Sequence, residues 1–331
     1  MLTTQLELVL ITFNRSAELR HTLTRLAESP FAGCRLTVLD NCSTDDTPDV
    51  CAALAPRFEN FHVVRHHRNI GGGANTLRAV EIARAPYTWI LCDDDELDFS
   101  ACADVVEALE AAEVDLISLG APGREHWPSG QTTLQTLADA GARVLWVFTF
   151  LPNTIFRTEL FDDDARAEGY RLIGDLYPNF GFLRRQLERD APVLVSGREI
   201  VKRGGLGVPV SELFWFLRWV RCCSTITEPQ RRREAIDSAD ATRGQWLIRR
   251  AASIAQEKLA FPERARAEVG ELLLLLRGGQ RVRLLLLAPL VLVPRAAYAA
   301  VTAVIKRLEL LVGAGKGGDP GAPAHALSAR P

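Results

Sequence analysis

Five short apolar segments of strand length, each followed by a polar turn or a helix-like segment, recur along the first 120 residues. They are Leu6–Phe13, Arg35–Asp40, Phe61–Arg65, Tyr87–Cys92 and Asp115–Leu119. The intervening segments predict helices over residues 17–27, 74–85 and 105–111. Thr47 followed by Pro48 predicts the start of another helix, with Thr47 as its N-cap and Pro48 in its first turn. This alternation predicts an α/β fold with a mostly parallel central sheet flanked by helices.

An acidic cluster directly follows the fourth apolar segment. Residues 93–96 read Asp-Asp-Asp-Glu, and so many carboxylates cannot be buried without partners. A divalent cation bound with a phosphate-bearing ligand would neutralise them. If the strand continues, Asp93 and Asp95 point to the same side and form the predicted metal-binding pair. The alternative is a solvated loop, but ligands of such sheets bind at the carboxyl ends of the strands.

Two more polar turns follow the second and third apolar segments. Asp40 opens the turn Asn41-Cys42-Ser43-Thr44-Asp45, which can bind a base or ribose or can form an Asx-turn before the next helix. The segment Asn69–Asn75 contains three glycines that allow backbone to approach a ligand near a helix N-terminus. It lacks the G-x-G-x-x-G pattern and follows the third strand, so a dinucleotide-binding fold is disfavoured.

Composition sets the broad class of the protein. The 331 residues are 47% hydrophobic and 24% charged, which excludes a wholly disordered chain. The seven cysteines form no C-x-x-C pair, so we expect neither a disulfide framework nor a zinc site, and a reducing compartment. The first residues lack a basic segment and a cleavage site, so no signal peptide is expected.

Charge divides the chain into an acidic front and a basic back. Residues 1–200 contain 18 of the 39 Lys and Arg and 30 of the 41 Asp and Glu, which gives net charges of −12 before residue 201 and +10 after it. We expect a first domain over residues 1–205, a basic helical extension over 206–312 and a disordered Gly/Pro-rich tail over 313–331.

The extension contains an apolar stretch, Leu284–Val304, with basic residues on both sides. Pro289, Pro294 and Arg295 interrupt it, which opposes a membrane-spanning helix and favours a segment lying on an anionic membrane surface. An ordinary buried helix pair is the alternative. No nucleic-acid partner is expected.

The order of these motifs resembles the family 2 glycosyltransferases with a GT-A (Rossmann-like) fold. The matching segments are Ile11–Arg15, Asp40–Asp45, Asn69–Asn75 and Asp93–Asp95. The resemblance implies a nucleotide-sugar donor and Mg²⁺ or Mn²⁺, with the metal on Asp93 and Asp95. It implies donor contacts from Thr12, Asn14, Arg15, Asp40, Asn69, Gly72, Asp93 and Asp94.

The same resemblance implies a catalytic base about 80 residues beyond the acidic cluster. The matching segment is Gly174–Pro178, which follows Asn153–Arg157, and Asp175 is the predicted base. Members of the family often have the base in a Glu-Asp pair, whereas here Gly174 precedes Asp175. The Tyr177-Pro178 form is similar to abequosyltransferase-like enzymes of O-antigen assembly. Asp162–Asp164 are rival carboxylates that read as a solvated helix start.

The function implied is an inverting hexosyl- or deoxyhexosyltransferase of cell-surface polysaccharide assembly. Its acceptor would be a glycan or a lipid-linked molecule, and the enzyme would lie in the cytoplasm on the inner face of the cell membrane. A catalytically silent GT-A-like module that binds a nucleotide sugar or a glycan-assembly partner is the alternative. A sugar nucleotidyltransferase would place its glycine-rich loop after the first strand, where this chain has Thr12–Arg15.

Overall fold

A computed structural model describes residues 1–100, 102–120, 127–141, 143–202, 212–239, 246–293, 297, 300, 303–305 and 307. The chain divides into two compact units, Met1–Val208 and Pro209–Pro331. The predicted domain boundary at residues 205–206 and the predicted tail over 313–331 both lie outside the described residues.

The first unit is built on one large sheet. The strands of this unit, in chain order, are β1 (Leu6–Thr12), β2 (Arg35–Asp40), β3 (Phe61–Arg65), β4 (Tyr87–Cys92), β5 (Glu96–Leu97), β6 (Leu116–Ser118), β7 (Gly130–Thr133), β8 (Thr154–Arg157), β9 (Pro192–Val195) and β10 (Val201–Lys202). Strands β5 and β10 form a separate two-stranded sheet. Within the described residues, eight strands form the large sheet in the order β3-β2-β1-β4-β8-β6-β9-β7.

The helices of this unit cover the faces and ends of the sheet. They are α1 (Leu2–Gln5), α2 (Ser16–Ala27), α3 (Thr47–Leu54), α4 (Gly72–Ile82), α5 (Ala103–Ala111), α6 (Leu134–Asp139), α7 (Val144–Phe148), α8 (Asp163–Arg171) and α9 (Phe180–Glu188).

The predicted α/β architecture is confirmed. Strand β1 pairs in parallel with β2 and β4, β2 pairs in parallel with β3, and β6 pairs in parallel with β9. Strands β1, β2 and β4 are buried along nearly their whole length. This burial explains why their sequences are continuous apolar runs rather than alternating ones.

The second half of the sheet is more regular than the sequence suggested. Strand β8 enters between β4 and β6 and runs antiparallel to both, and β7 runs antiparallel to β9. From Pro122, Gly123, Pro128 and Gly130 the sequence predicts an irregular excursion over residues 120–150. This prediction is wrong in part, because the described portion forms β7, α6 and α7. These elements are only four to six residues long, which is too short for a clear period in the sequence.

Helix α3 begins differently from the prediction. Thr47 is its first residue rather than its N-cap, which is Asp46. Asp45 takes the capping role instead, because its Oδ1 accepts hydrogen bonds from the Thr47 amide at 3.2 Å and from Thr47 Oγ1 at 2.6 Å.

The second unit consists of helices in its described part. They are α10 (Glu212–Ser224), α11 (Pro229–Ser238), α12 (Trp246–Ala260), α13 (Pro262–Leu275) and α14 (Gly278–Leu287), and a 3₁₀ turn over Ala288–Leu292 follows them. Of the predicted apolar stretch, residues 284–292 thus form the end of α14 and this turn. Among the described residues, no helix is both long and apolar enough to cross a bilayer.

A buried carboxylate ties the central strands together. Glu7 on β1 is fully buried, and its Oε1 accepts hydrogen bonds from Arg35 Nε at 3.1 Å and from Thr37 Oγ1 at 2.9 Å. Its Oε2 accepts a 2.7 Å bond from the amide of Arg84, just before β4. One side chain therefore joins β1, β2 and the segment that leads into β4.

We expect Glu7→Ala to lower the free energy of unfolding by about 3 kcal/mol, because it leaves the Arg35 charge and two polar groups without their buried partner. Urea denaturation measures the change. The control is Glu28→Ala, which removes an exposed ion pair with Arg57 and should cost less than about 1 kcal/mol. Equal effects of the two substitutions would contradict this account.

Candidate active site

The acidic cluster forms a turn between two strands. Strand β4 ends at Cys92, residues 93–95 turn, and β5 begins at Glu96 and pairs with β10. The strand therefore does not continue through Asp93, and the geometric reason for pairing Asp93 with Asp95 is wrong. The assignment of both residues to a metal stays a prediction.

Asp93 is buried and held by partners on other segments. Its Oδ2 accepts a 2.7 Å hydrogen bond from Thr12 Oγ1, and its Oδ1 accepts a 3.1 Å bond from Arg15 Nη1. Its carbonyl oxygen accepts a 2.9 Å bond from Thr22 Oγ1 on α2. Burial raises the pKa of Asp93 to about 6, against the effect of the Thr12 hydrogen bond and the Arg15 charge.

Arg15 links the end of β1 to two carboxylates of the cluster. The same Nη1 atom lies 3.1 Å from Asp93 Oδ1 and 2.7 Å from Asp94 Oδ2. One guanidinium thus offsets part of the negative charge that three successive aspartates bring to one turn.

A second group at the same turn fits a hard divalent cation. The Cys92 thiol and the carboxylates of Asp94 and Asp95 have ligand atoms within 4.8 Å of one another. Two carboxylates are what Mg²⁺ or Mn²⁺ takes from a protein when phosphate oxygens and water complete the coordination. Burial raises the pKa of the Cys92 thiol well above its usual range, which disfavours the thiolate form that binds metals. A hard cation also prefers oxygen ligands to sulfur.

The turns after β1 and β2 are joined by hydrogen bonds. Asn14 has a left-handed backbone, with φ of 52°. Its amide donates a 2.9 Å hydrogen bond to Ser43 Oγ, and its Oδ1 accepts a 2.7 Å bond from the Thr44 amide. Ser16, the first residue of α2, donates a 2.8 Å bond from its amide to Asp45. The segments 11–15 and 40–45 therefore form one surface.

Asp40 lies buried at the end of β2. Its Oδ1 accepts a 2.8 Å hydrogen bond from the Ser43 amide, which is the local turn that the sequence offered as an alternative. Its Oδ2 lies 3.4 Å from Arg65 Nε at the end of β3. The nucleotide contact predicted for Asp40 stays a prediction.

The glycine-rich segment is attached to the same surface through two asparagines. Asn41 donates a 2.9 Å bond from Nδ2 to Asn69 Oδ1, and Asn41 Oδ1 accepts a 2.9 Å bond from the Ile70 amide. The amide of Gly71 donates a 2.8 Å bond to Asn69 Oδ1. Gly71 has φ of 85° and precedes α4, which begins at Gly72. A non-glycine residue at 71 would be strained.

The predicted base lies on a 3₁₀ turn that packs against α4. Asp175 ends the turn Ile173–Asp175 and is half-buried. A Cβ atom on Gly73 would lie 3.1 Å from the carbonyl oxygen of Ile173, so this turn approaches the first turn of α4 closely. The structure therefore brings the turn that ends at Asp175 to the glycine-rich segment, although 100 residues separate Ile173 from Gly73.

The rival carboxylates have a structural role. Asp162 is the N-cap of α8 and accepts a 2.8 Å hydrogen bond from the Ala165 amide. Asp163 and Asp164 lie in the first turn of α8 with exposed side chains, paired with Arg166 and Arg185. This is the solvated helix start that the sequence indicated.

Some residues of this region escaped sequence analysis. Thr22 donates a hydrogen bond to Asp93, Arg65 pairs with Asp40, and Cys92 lies beside Asp94 and Asp95. None of these three residues belongs to a sequence motif. Asn153 was named only as the start of the segment Asn153–Arg157, with no role. It precedes β8 and is fully buried, and neither its Oδ1 nor its Nδ2 has a hydrogen-bond partner. Its position beside β4 follows from the pairing of β8 with β4, which no local pattern reveals.

We expect Asp95→Asn to weaken Mn²⁺ binding by at least about tenfold, because the variant removes one charged oxygen ligand. Cys92→Ser should retain the affinity, since a hard cation does not need the thiol. Calorimetric titration of Mn²⁺ measures both. The control is Asp98→Asn, an exposed aspartate three residues along the chain. Unchanged affinity in Asp95→Asn would contradict the assignment.

Comparison with solved structures finds the same fold in other proteins. S. aureus TarS 1-349 aligns with a TM-score of 0.56 and 16% identity over 89% of this chain and 91% of that one. Its complex with UDP-GlcNAc aligns with a TM-score of 0.54 and 17% identity over 89% and 92%. The mannosyltransferase PcManGT from Pyrobaculum calidifontis, in complex with GDP-Man and Mn²⁺, aligns with a TM-score of 0.51 and 14% identity over 91% and 86%.

Sequence comparison identifies the family. A search of curated protein sequences finds no significant match. The family described as Glycosyl transferase family 2 matches residues 7–189. This range contains all the predicted site residues and the large sheet, except for β9 and the first residue of β1. More than half of the chain lies in this match, and the chain belongs to glycosyl transferase family 2.

Proposed function

We propose that this protein transfers a hexose or deoxyhexose from a nucleotide-sugar donor to a hydroxyl group of an acceptor, with inversion at the anomeric carbon. The observation that carries the proposal is the joining of four polar segments at the carboxyl ends of β1–β4. Hydrogen bonds connect them, and the only described carboxylates with a metal-binding arrangement lie among them. Carboxyl ends of parallel strands are where such sheets bind ligands.

The donor would lie across this surface. Thr12, Asn14 and Asp40 would face the nucleotide, whereas Asn69 and Gly72 offer polar atoms and exposed backbone beside the N-terminus of α4. Arg15, Asp93 and Asp94 would lie near the diphosphate. TarS was crystallised with UDP-GlcNAc and PcManGT with GDP-Man and Mn²⁺, which supports a nucleotide-sugar donor and a divalent cation here.

The chemistry follows from the placement of the acidic groups. A divalent cation, held by Asp95 with Asp93 or Asp94, would stabilise negative charge on the departing diphosphate. Asp175 would take the proton from the acceptor hydroxyl while that oxygen forms a bond to the anomeric carbon. The bond from this carbon to the diphosphate oxygen breaks, and its electron pair leaves with the diphosphate. A single displacement inverts the configuration.

The acceptor would be a glycan or a lipid-linked molecule in cell-surface polysaccharide assembly. The Gly174–Pro178 segment supports this choice through its similarity to abequosyltransferase-like enzymes, and the basic second unit supports a place on the cytoplasmic face of the membrane. The catalytically silent module is the alternative, and it would bind the donor without transfer.

The test begins with the donor. A panel of nucleotide sugars is screened for a rise in the melting temperature with and without Mn²⁺, because a ligand at 100 times its Kd stabilises the fold by about 2.7 kcal/mol. The nucleotide sugar that stabilises the protein is then used in transfer assays with glycan and polyprenyl-linked acceptors.

We expect Asp175→Asn to lower turnover by about 10²-fold or more and to leave donor affinity nearly unchanged, because the amide cannot accept the acceptor proton. Asp164→Asn is the matched control and should retain turnover. If Asp175→Asn keeps turnover within a few-fold, the base is another group. Donor binding with no transfer by the unaltered protein would favour the silent module.

A further inference from the structure

Helix α14 has two apolar faces. Leu284, together with Val291 in the following 3₁₀ turn, is buried. Val282, Leu285 and Leu286 are 58%, 51% and 69% exposed. These three residues are related by spacings of three and four and therefore share one side of the helix. Leu292 in the 3₁₀ turn is 71% exposed as well. A soluble helix ordinarily has polar residues on its exposed side.

The exposed leucines are accompanied by positive charge. Arg281 and Arg283 are exposed on the same helix, and Arg277 is exposed just before it. Between Glu271 and Glu309 the sequence has six basic residues and no acidic one. The exposed face of α14, defined as Val282, Leu285, Leu286, Arg281 and Arg283, is therefore apolar in its centre and positive at its sides.

We propose that this face binds the surface of an anionic lipid bilayer. The apolar side chains would enter the boundary between headgroups and acyl chains, and the arginines would remain at the level of the lipid phosphates. Binding in the plane of the surface needs no 20-residue apolar helix, so the ten residues of α14 suffice.

Charge distinguishes the bilayer from other occupants. A second copy of the chain would bring its own arginines against these, with no acidic residue of the same segment to offset them. An acidic peptide would satisfy the arginines but would leave the three central apolar side chains without a matching partner. An anionic bilayer supplies both a negative surface and an apolar layer below it.

The choice of a membrane rests on the proposed function in one respect, since a lipid-linked acceptor is found there. The physical case does not depend on transferase activity. Donor binding, measured as the melting-temperature shift described above, therefore separates a failure of this proposal from a failure of the proposed function.

The experiment measures binding of the full chain to vesicles by co-sedimentation. Vesicles of phosphatidylcholine with phosphatidylglycerol are compared with vesicles of phosphatidylcholine alone. We expect binding to the anionic vesicles that weakens with salt. Arg281→Gln with Arg283→Gln should lower the affinity at least about tenfold, since each basic residue near such a surface contributes about fivefold. Leu285→Glu with Leu286→Glu should lower it at least as much.

Matched controls make the same changes on other helices. Arg231→Gln with Arg233→Gln alters two exposed arginines on α11, and Leu247→Glu with Leu259→Glu alters two exposed leucines on α12. Both control proteins should keep affinity within about twofold of the unaltered chain. The proposal is overturned if the unaltered chain does not bind anionic vesicles, or if controls and test variants lose binding equally. It is also overturned if the α14 variants only convert a dimer to a monomer.

Discussion

Three successive aspartates at the end of a buried strand are the constraint on which the rest of the site depends. Strand β4 lies between β1 and β8 and places Asp93–Asp95 at the carboxyl ends of the parallel strands, where the burial of Asp93 and Asp95 opposes their charge. Thr12 and Arg15, from the end of the neighbouring strand β1, hold the first carboxylate, and Arg15 also contacts Asp94. The parallel arrangement of β1 and β4 therefore makes an acidic turn possible at this point.

The neighbouring turns maintain unusual backbone conformations around that acidic turn. Asn14, Cys42 and Gly71 all have positive φ angles, which cost free energy for non-glycine residues. Hydrogen bonds between Asn14 and Thr44 and between Asn41 and Asn69 fix these turns against one another. Such fixed turns present polar atoms at defined positions, and this is the form of preorganisation that ligand binding requires.

Much of this arrangement could be predicted from the sequence, and the rest could not for identifiable reasons. Strands β2, β3 and β4 have the predicted bounds, and for β2 and β4 the reason is that buried parallel strands give continuous apolar runs. Strand β8 was not predicted because four residues give no period. The predicted strand ends at Cys92 as β4 does, but the geometry of the turn at Asp93 does not follow from local sequence. The four motifs could be recognised one by one, whereas the contact between the Asp175 turn and Gly73 joins segments about 100 residues apart.

The most direct measurement of the central claim is the anomalous scattering of Mn²⁺ in crystals of the protein grown with the nucleotide that stabilises it best. The account predicts one Mn²⁺ peak at coordination distance from a carboxylate of the Asp93–Asp95 turn and from the diphosphate, with the nucleoside over the turn formed by Asp40–Asp45. A nucleotide bound away from the carboxyl ends of β1, β2 and β4, or a Mn²⁺ peak without contact to that acidic turn, would contradict it.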